Sequence, residues 1–226
     1  MRLLAIDTGG ATGSVALAEV NAEGILKLAG EITLPGRTYS ARLIPAIDEL
    51  LHKEKVTLAA LDALVVVRGP GSFTGLRVGL SAIKGLAEVT RKPVIALSRF
   101  AVMAARQPAE VVVHAILDAG RGQFYYGVYR DAGVTCVQES LETLDTLRTA
   151  LQSAVGACIV AECSVAGIFE SFCAIPVSSP TAADAFYLAW YSLQKKRFVD
   201  VALLDANYLR RSDAELFARS KSSGNF

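Results

Sequence analysis

The sequence predicts an α/β protein made of two halves that repeat one plan, and two observations support this class. Apolar runs of strand length alternate with longer stretches of helical periodicity, which is the pattern of mixed sheets covered by helices. An apolar run that ends in an aspartate and leads into a small-residue turn also occurs twice, at Asp7 and at Asp118. We therefore expect a duplicated fold of two βββαβα-type halves, with the second half shortened.

The first half, residues 1–105, is predicted to open with a hairpin because two apolar runs flank a turn-rich segment. Its predicted strands are residues 3–7, 14–19, 25–34, 63–67 and 94–97. Ser40 is expected to cap a helix, and Pro45 to bend its first turns. That helix carries apolar side chains on one face, at Leu43, Ile44, Ile47, Leu50 and Leu51. Ser98 is expected to cap a short helix that follows the last strand.

The most informative segment is residues 68–79, which follow a predicted strand and lead into a helix that runs to about residue 89. Its sequence is Arg-Gly-Pro-Gly-Ser-Phe-Thr-Gly-Leu-Arg-Val-Gly. Gly69 and Gly71 permit backbone conformations that other residues resist, and Ser72 or Thr74 can cap the helix. Such a loop turns its N–H groups toward one point. An anion, or the backbone of another protein element, can approach there.

The second half, residues 106–226, repeats the order of the first. Its predicted strands are residues 111–118, 123–130, 135–138 and 158–161, and residues 144–153 are predicted to form a helix. A long helix is expected after Thr181, with an inner face formed by Phe186, Ala189, Trp190 and Leu193. Residues 195–226 contain seven Lys or Arg and four Asp or Glu, which predicts a solvated basic tail.

Composition limits the function classes. With 226 residues and 52% hydrophobic content, the chain can bury one ordinary core or two small abutting cores. A net charge of +1 argues against a protein that grips nucleic acid through its phosphates, so any RNA contact must be weak or shared. No apolar stretch near Met1 is long enough for a signal peptide or a membrane span, which predicts a cytoplasmic protein. The four cysteines have neither metal-site spacing nor a neighbouring histidine, so we expect reduced, buried thiols and no metal.

Four blocks of sequence resemble the bacterial TsaB (YeaZ) family: residues 5–8, 68–79, 118–125 and 208–210. The glycine-proline-glycine block is the specific one, whereas the others occur by chance in many proteins. The duplicated plan resembles the superfamily of actin, sugar kinases and heat-shock ATPases, whose two hairpin turns hold nucleotide phosphates across a cleft. Two positions depart from the family pattern, because Tyr39 replaces a frequent histidine and Gly120 a frequent arginine.

The resemblance implies a non-catalytic partner and activator in the formation of threonylcarbamoyladenosine, next to the anticodon of tRNAs that read codons starting with A. In that family the partner is TsaD, a larger homologue that binds the metal and transfers the threonylcarbamoyl group. TsaE, an ATPase, joins the pair, and TsaC supplies threonylcarbamoyl-adenylate. The chain would have no cofactor of its own, would meet ATP or ADP, magnesium and tRNA only through the complex, and can pair with itself when alone.

The residues themselves argue against catalysis. The two histidines, His52 and His114, do not share a helical turn as a zinc-type pair would, so we interpret both as structural. No nucleophile elbow of the form Gly-x-Ser-x-Gly occurs, and no catalytic residue is predicted.

Two interpretations are open for the aspartates. Asp7 and Asp118 can flank a metal-bound phosphate, with contacts from Thr8, Gly9, Gly71 and Ser72. Alternatively, each aspartate closes its own hairpin by accepting N–H bonds from the turn, which is the interpretation we favour.

A partner surface is predicted on two helices. Gly75, Gly79 and Ala82, together with Gly85, lie three or four residues apart, so one side of their helix is nearly bare and another helix can approach closely. Leu43, Ile47 and Leu50 of the preceding helix are expected to complete this surface. The alternative is that the glycines pack against the sheet of this chain.

The sequence also offers one enzyme alternative and one cofactor-binding alternative. A small phosphotransferase would use Asp7, Thr8, Gly9 and Asp118 around ATP and magnesium. A dinucleotide-binding loop would use Gly69, Gly71 and Gly75, but the acid expected after the next strand is missing, because Ser98 and Arg99 stand there.

Overall fold

The structure, a computed structural model, describes residues 1–36, 38–154 and 156–210 and contains two five-stranded mixed sheets. The strands of the first sheet are β1 (Arg2–Asp7), β2 (Thr12–Val20), β3 (Leu26–Pro35), β4 (Ala63–Val67) and β5 (Val94–Leu97). The strands of the second are β6 (Val113–Gly120), β7 (Gln123–Arg130), β8 (Thr135–Thr143), β9 (Cys158–Glu162) and β10 (Ile175–Val177).

Both sheets have the same strand order. The first runs β3-β2-β1-β4-β5 and the second β8-β7-β6-β9-β10. In each, the first three strands form an antiparallel meander and the last two lie parallel to the first strand. This repetition confirms the duplicated α/β fold that the sequence predicts.

The helices lie in three layers around the two sheets. They are α1 (Tyr39–Lys53), α2 (Phe73–Thr90), α3 (Arg99–Ala104), α4 (Leu144–Gln152) and α5 (Phe186–Gln194). Helices α1 and α2 cover the outer face of the first sheet, and α4 covers the outer face of the second. Helices α3 and α5 lie in the apolar core between the sheets, which contains Phe100 and Phe186. None of the helices in the described ranges is long and apolar enough to cross a membrane.

The second half is shortened, as predicted. Helices α4 and α5 have 9 residues each, compared with 15 in α1 and 18 in α2. A short 3-10 helix, Ala166–Phe172, stands where α2 stands in the first half. The helix predicted after Thr181 is present as α5, but it is short rather than long. Neither the 3-10 helix nor β10 was predicted.

Several local expectations meet different outcomes. Ser72 caps α2 by accepting the Gly75 N–H at 3.3 Å, and Ser98 caps α3 by accepting the Phe100 N–H at 3.2 Å. The prediction for Ser40 is wrong, because α1 begins at Tyr39 after Thr38, which makes no side-chain cap hydrogen bond. Ile44 does not lie on the buried face either, since it is 54% exposed.

The expectation of buried thiols is also wrong. Cys136, Cys163 and Cys173 are exposed, Cys158 is partly buried, and all four are free. Cys136 lies on β8 at the edge of the second sheet, and Cys163 and Cys173 lie outside the strands, so none of these three lies in a core.

The division into two domains near residue 105 stays a prediction. The first sheet lies within residues 2–97 and the second within residues 113–177. The two halves interlock, because α3 packs against β6 and β7 while α5 packs against β5 and β3. Half of the predicted basic tail, residues 211–226, lies outside the described residues.

Candidate functional site

A cleft of about 790 Å³ opens between the two hairpin turns. One wall is the β1–β2 turn at residues 9–11 with the glycine-proline-glycine loop at 70–72, and the other is the end of β6 at residues 117–120. Arg99 at the start of α3 and Glu162 at the end of β9 also line the cleft. The duplication thus brings equivalent turns of the two halves to face one space.

Asp7 and Asp118 make the same hydrogen bond in the two turns. Asp7 Oδ1 accepts the Gly9 N–H at 2.7 Å, and Asp118 Oδ1 accepts the Gly120 N–H at 2.7 Å. These are Asx turns, in which an aspartate closes its own hairpin. The geometry is that of the interpretation favoured from the sequence, whereas a phosphate contact for either aspartate stays a prediction.

The two aspartates differ in their surroundings. Asp7 is 1% exposed and its Oδ2 has no hydrogen-bond partner among the described residues. Burial raises the pKa of Asp7, and the positive charge of Arg99 opposes that rise. Asp118 is exposed and lines the cleft, while Asp7 does not. Only the aspartate of the second turn is therefore accessible to a ligand in the cleft.

Of the other predicted phosphate contacts, some line the cleft and one is buried away from it. Thr8 is buried, and its Oγ1 donates to the Gly75 carbonyl at 2.7 Å rather than facing the cleft. Gly9, Gly71 and Ser72 do line the cleft. Their backbones are joined, because the Ser72 N–H donates to the Gly9 carbonyl at 2.8 Å and a Cβ atom on Gly71 would collide with that same carbonyl.

Tyr39, Arg99 and Glu162 line the cleft but are not among the predicted site residues. In the sequence, Arg99 stands where a dinucleotide fold would have an acid, and Tyr39 departs from the family pattern. The Tyr39 hydroxyl donates to the Gly10 carbonyl at 2.8 Å. The available signal was an arginine two positions after the buried strand β5. Its partners Glu162 and Ser179 lie far away in the sequence, so the signal does not identify them.

The histidines form no metal site. His52 is exposed on α1, whereas His114 lies inside β6 with its Nδ1 2.5 Å from the Tyr126 hydroxyl oxygen. Burial lowers the pKa of His114. Within the described ranges, no group of three or more His, Cys, Asp or Glu side chains could hold a metal ion.

Five of the six residues predicted for the partner surface are buried inside the chain. Leu43, Ile47 and Leu50 are at most 3% exposed. A Cβ atom on Gly75 would collide with the Thr8 carbonyl, and one on Gly79 with Thr8 Oγ1. The glycines therefore let α2 approach the end of β1, which is the alternative that the sequence left open, and the expectation that they face a partner is corrected. Ala82 is partly exposed.

A groove of about 470 Å³ does lie on the outside of the same two helices. Its lining is mainly apolar and includes Leu43, Ile44, Phe73, Val78 and Ala82. The polar positions are Ser40, Thr74, Arg77 and Ser81. The exposed side chain of Ile44 lies in this groove. The helix pair predicted from the sequence thus carries an open apolar groove formed by a partly different set of residues.

The segment at residues 207–210 contacts residues that line the groove and residues that line the cleft. The Tyr208 ring lies 5.0 Å from that of Phe73, and its hydroxyl oxygen accepts a hydrogen bond from Arg77 Nε at 3.2 Å. Arg210 Nη1 donates to the Ala119 carbonyl at 2.6 Å in the second hairpin. The Asn207 N–H donates to the Arg68 carbonyl at 2.8 Å. The segment therefore connects α2 of the first half with β6 of the second.

Known proteins match this chain at the level of sequence and of structure. A family model described as TsaD, tRNA N6-adenosine threonylcarbamoyltransferase, matches residues 33–215. The tRNA threonylcarbamoyladenosine biosynthesis protein TsaB of Bacillus subtilis is 35% identical over 131 residues, which cover 58% of this chain and 56% of that protein. The TsaB protein of Haemophilus influenzae is 40% identical over 134 residues, covering 56% and 52%. The chain spans about half the length of the curated relatives it matches.

A solved structure gives the broader match. YeaZ from Pseudomonas aeruginosa superposes with a TM-score of 0.75 and 30% sequence identity, covering 92% of this chain and 99% of that one. The similarity thus includes both halves and the cleft between them. Together with the two hairpin turns and the glycine-proline-glycine loop, these matches show that the chain belongs to the TsaB/YeaZ family.

Proposed function

We propose that this chain takes part in the biosynthesis of threonylcarbamoyladenosine in tRNA, as a non-catalytic partner and activator of a TsaD-like homologue. The modified base lies next to the anticodon of tRNAs that read codons starting with A. The family membership supports the pathway, since its curated relatives carry that pathway in their names. The observation that carries the partner role is the apolar groove between α1 and α2.

The groove suits a helical partner. An open apolar groove between two helices is the kind of surface into which an amphipathic helix packs. Ile44, at 54% exposed, is a large apolar side chain available to such a helix, and Arg77 provides a charge at the edge. In this proposal the partner is the TsaD-like homologue or, when that protein is absent, a second copy of this chain.

The chemistry of the described residues supports a role without catalysis. Asp7 is buried behind the first turn. The two histidines lie on different elements, His52 exposed on α1 and His114 buried in β6. The phosphotransferase alternative needs Asp7 and Thr8 to reach ATP, but neither lines the cleft. In this proposal the chain has no cofactor of its own, and ATP or ADP with magnesium enters only through the complex.

The remaining parts of the proposal follow from the same role. A TsaE-like ATPase joins the pair, and tRNA is contacted only through the complex, because the net charge of +1 offers little attraction for phosphates. The site of action is the cytoplasm, where tRNA is modified.

The test is the affinity of the full chain for the TsaD-like protein of the same organism, measured by isothermal titration. Ile44→Glu puts a charge into the apolar groove and should weaken binding by about 100-fold. Val89→Glu is the control, because Val89 is 79% exposed on α2 but does not line the groove. Equal affinity of Ile44→Glu and the wild type would contradict the surface.

The activating role has a separate test. In a reconstituted system, threonylcarbamoylation of tRNA should fall when this chain is omitted and when Ile44→Glu replaces the wild type. Full activity without the chain would reject the proposed function. A bulky residue at Gly79 is unsuitable as a probe of the interface, because it would collide with Thr8 inside the chain.

A further inference from the structure

Arg99 is a buried cation at the floor of the cleft. Its side chain is 4% exposed, and its Nε has no hydrogen-bond partner among the described residues. Its Nη2 donates to Ser179 Oγ at 3.0 Å and lies 3.6 Å from Glu162 Oε1. Burying a guanidinium is costly unless negative charge nearby compensates it. The neighbours of Arg99 should therefore explain why it is there.

The compensating carboxylates come from both halves of the chain. Asp7 ends β1 of the first half and has a buried Oδ2 without a partner among the residues that the structure describes. Burial raises the pKa of Asp7, and Arg99 is the largest influence that lowers it. Glu162 ends β9 of the second half and also accepts a hydrogen bond from Ser179 Oγ. The Arg99 guanidinium thus pairs directly with Glu162 of the second half, whereas it acts on Asp7 of the first half through its charge, without a hydrogen bond or ion pair to that carboxylate.

The first hairpin turn rests on this guanidinium. A Cβ atom at Gly10 would lie 2.7 Å from Arg99 Nη2, so the turn backbone approaches the arginine too closely for a side chain. The backbone N–H of Arg99 donates to the Gly69 carbonyl at 2.7 Å, so the same residue also contacts the glycine-proline-glycine loop. Arg99 therefore occupies the space beneath both loops of the first half.

A magnesium nucleotide, which the fold family implies between the two turns, does not fit the residues found there. Magnesium requires oxygen ligands in octahedral geometry, whereas a guanidinium offers N–H donors and no acceptor. The positive charge of Arg99 also repels a divalent ion from the carboxylates that it already balances. The cleft chemistry of this chain therefore differs from that implied by its fold.

We propose that Arg99 is a built-in cation, which takes the charge-balancing place of a divalent ion between Asp7 and Glu162 and joins the two halves at the cleft. In the chain alone, the cleft then has no divalent-cation site. Removing the guanidinium leaves the carboxylates unbalanced and creates a site for such an ion. This inference does not depend on the proposed partner role.

The experiment is thermal unfolding of the full chain with and without millimolar MnCl₂ or MgCl₂. Arg99→Ala should lower the melting temperature by about 10 °C, because it leaves buried carboxylates unpaired. Manganese or magnesium should restore at least about 3 °C of this loss and should shift the wild type by less than about 1 °C.

Arg106→Ala is the matched control. Arg106 also reaches the second half, where Nη1 lies 3.8 Å from Asp184 Oδ2 and donates to the Ser178 carbonyl at 3.1 Å, but it is partly exposed and does not line the cleft. Its removal should cost no more than about 3 °C and create no response to metal ions. A metal response as large as that of Arg99→Ala would overturn the proposal.

Three other outcomes would also overturn it. These are an Arg99→Ala variant as stable as the wild type, a variant that neither metal ion stabilises, and a wild type stabilised by manganese as strongly as the variant. If Arg99→Ala fails to fold, Arg99→Lys and Arg99→Gln decide the question. Lysine keeps the charge and should preserve more stability without metal, and only the glutamine variant should gain stability with manganese. An equal metal response of these two variants would overturn the proposal.

Discussion

The β1–β2 turn and the β6–β7 turn contain the same hydrogen bond in opposite surroundings. Asp7 and Asp118 each accept an N–H from the glycine two residues ahead, at the same distance of 2.7 Å. Yet Asp7 is 1% exposed under α2 and the glycine-proline-glycine loop, whereas Asp118 is open to the cleft. The comparison teaches that duplication preserved the local turn, while the elements packed around it decided what each aspartate can contact.

The cause of the difference lies in the element that follows the fourth strand of each sheet. In the first half this element is α2, an 18-residue helix whose glycines admit Thr8. In the second half it is the 3-10 helix Ala166–Phe172, which is too short to cover the turn. The aspartate of the first turn is consequently buried by packing, whereas the aspartate of the second turn is exposed to the cleft.

Gly79→Leu should produce the largest effect on this comparison. The new side chain would collide with Thr8 Oγ1 and push α2 away from the first turn. We expect a loss of about 3 kcal/mol or more in the free energy of unfolding, measured in urea. The matched control is Gly167→Leu in the 3-10 helix, where nothing lies within 4 Å of the added Cβ atom. Equal losses at the two positions would show that α2 does not bury the first turn.

Replacing each aspartate with alanine should give the next largest difference. Asp7→Ala leaves the buried Gly9 N–H without an acceptor and removes a carboxylate that balances Arg99, so we expect a loss of about 2 kcal/mol. Asp118→Ala should cost no more than about 1 kcal/mol, because water can replace the carboxylate at an exposed turn. Chemical unfolding of both variants measures the difference. A larger loss for Asp118→Ala would contradict the assigned surroundings.

The smallest expected effect is on the pH dependence of stability. The pKa of Asp7 in the folded chain is raised above its ordinary value of 3.8, chiefly by burial. Its protonated form therefore contributes stability that is fully present below that value and is lost as the pH rises through the raised folded pKa. The stability of the wild type relative to Asp7→Asn should fall as the pH rises from about 4 to about 8. Urea unfolding of both chains over this range is the measurement, and a relative stability that rises with pH would contradict the burial of an ionisable Asp7.

Features that depend on neighbouring residues were predictable from the sequence. The strand at residues 63–67, the helix caps Ser72 and Ser98, and the two Asx turns each involve residues no more than a few positions apart. The sequence predicts a partner surface on α1 and α2, and the groove found on these helices is lined by Ile44 and Phe73, which that prediction did not include. A helical pattern of apolar and small residues identifies a packed face, but it does not say whether the sheet of the same chain or another protein covers that face.

The sequence by itself determined the order of helices α1 to α5 and of the strands other than β10, the duplication and the tight turns, because these follow from periodicity, turn chemistry and capping within short segments. Only the tertiary structure decided that Gly75 and Gly79 receive Thr8, that Tyr208 reaches Arg77 from 131 positions away in the sequence, and that Arg99 lies beside Glu162. The physical reason is that burial and charge balance depend on which distant segments meet in space. In this chain, packing against those segments made one of two equivalent aspartates inaccessible to the cleft.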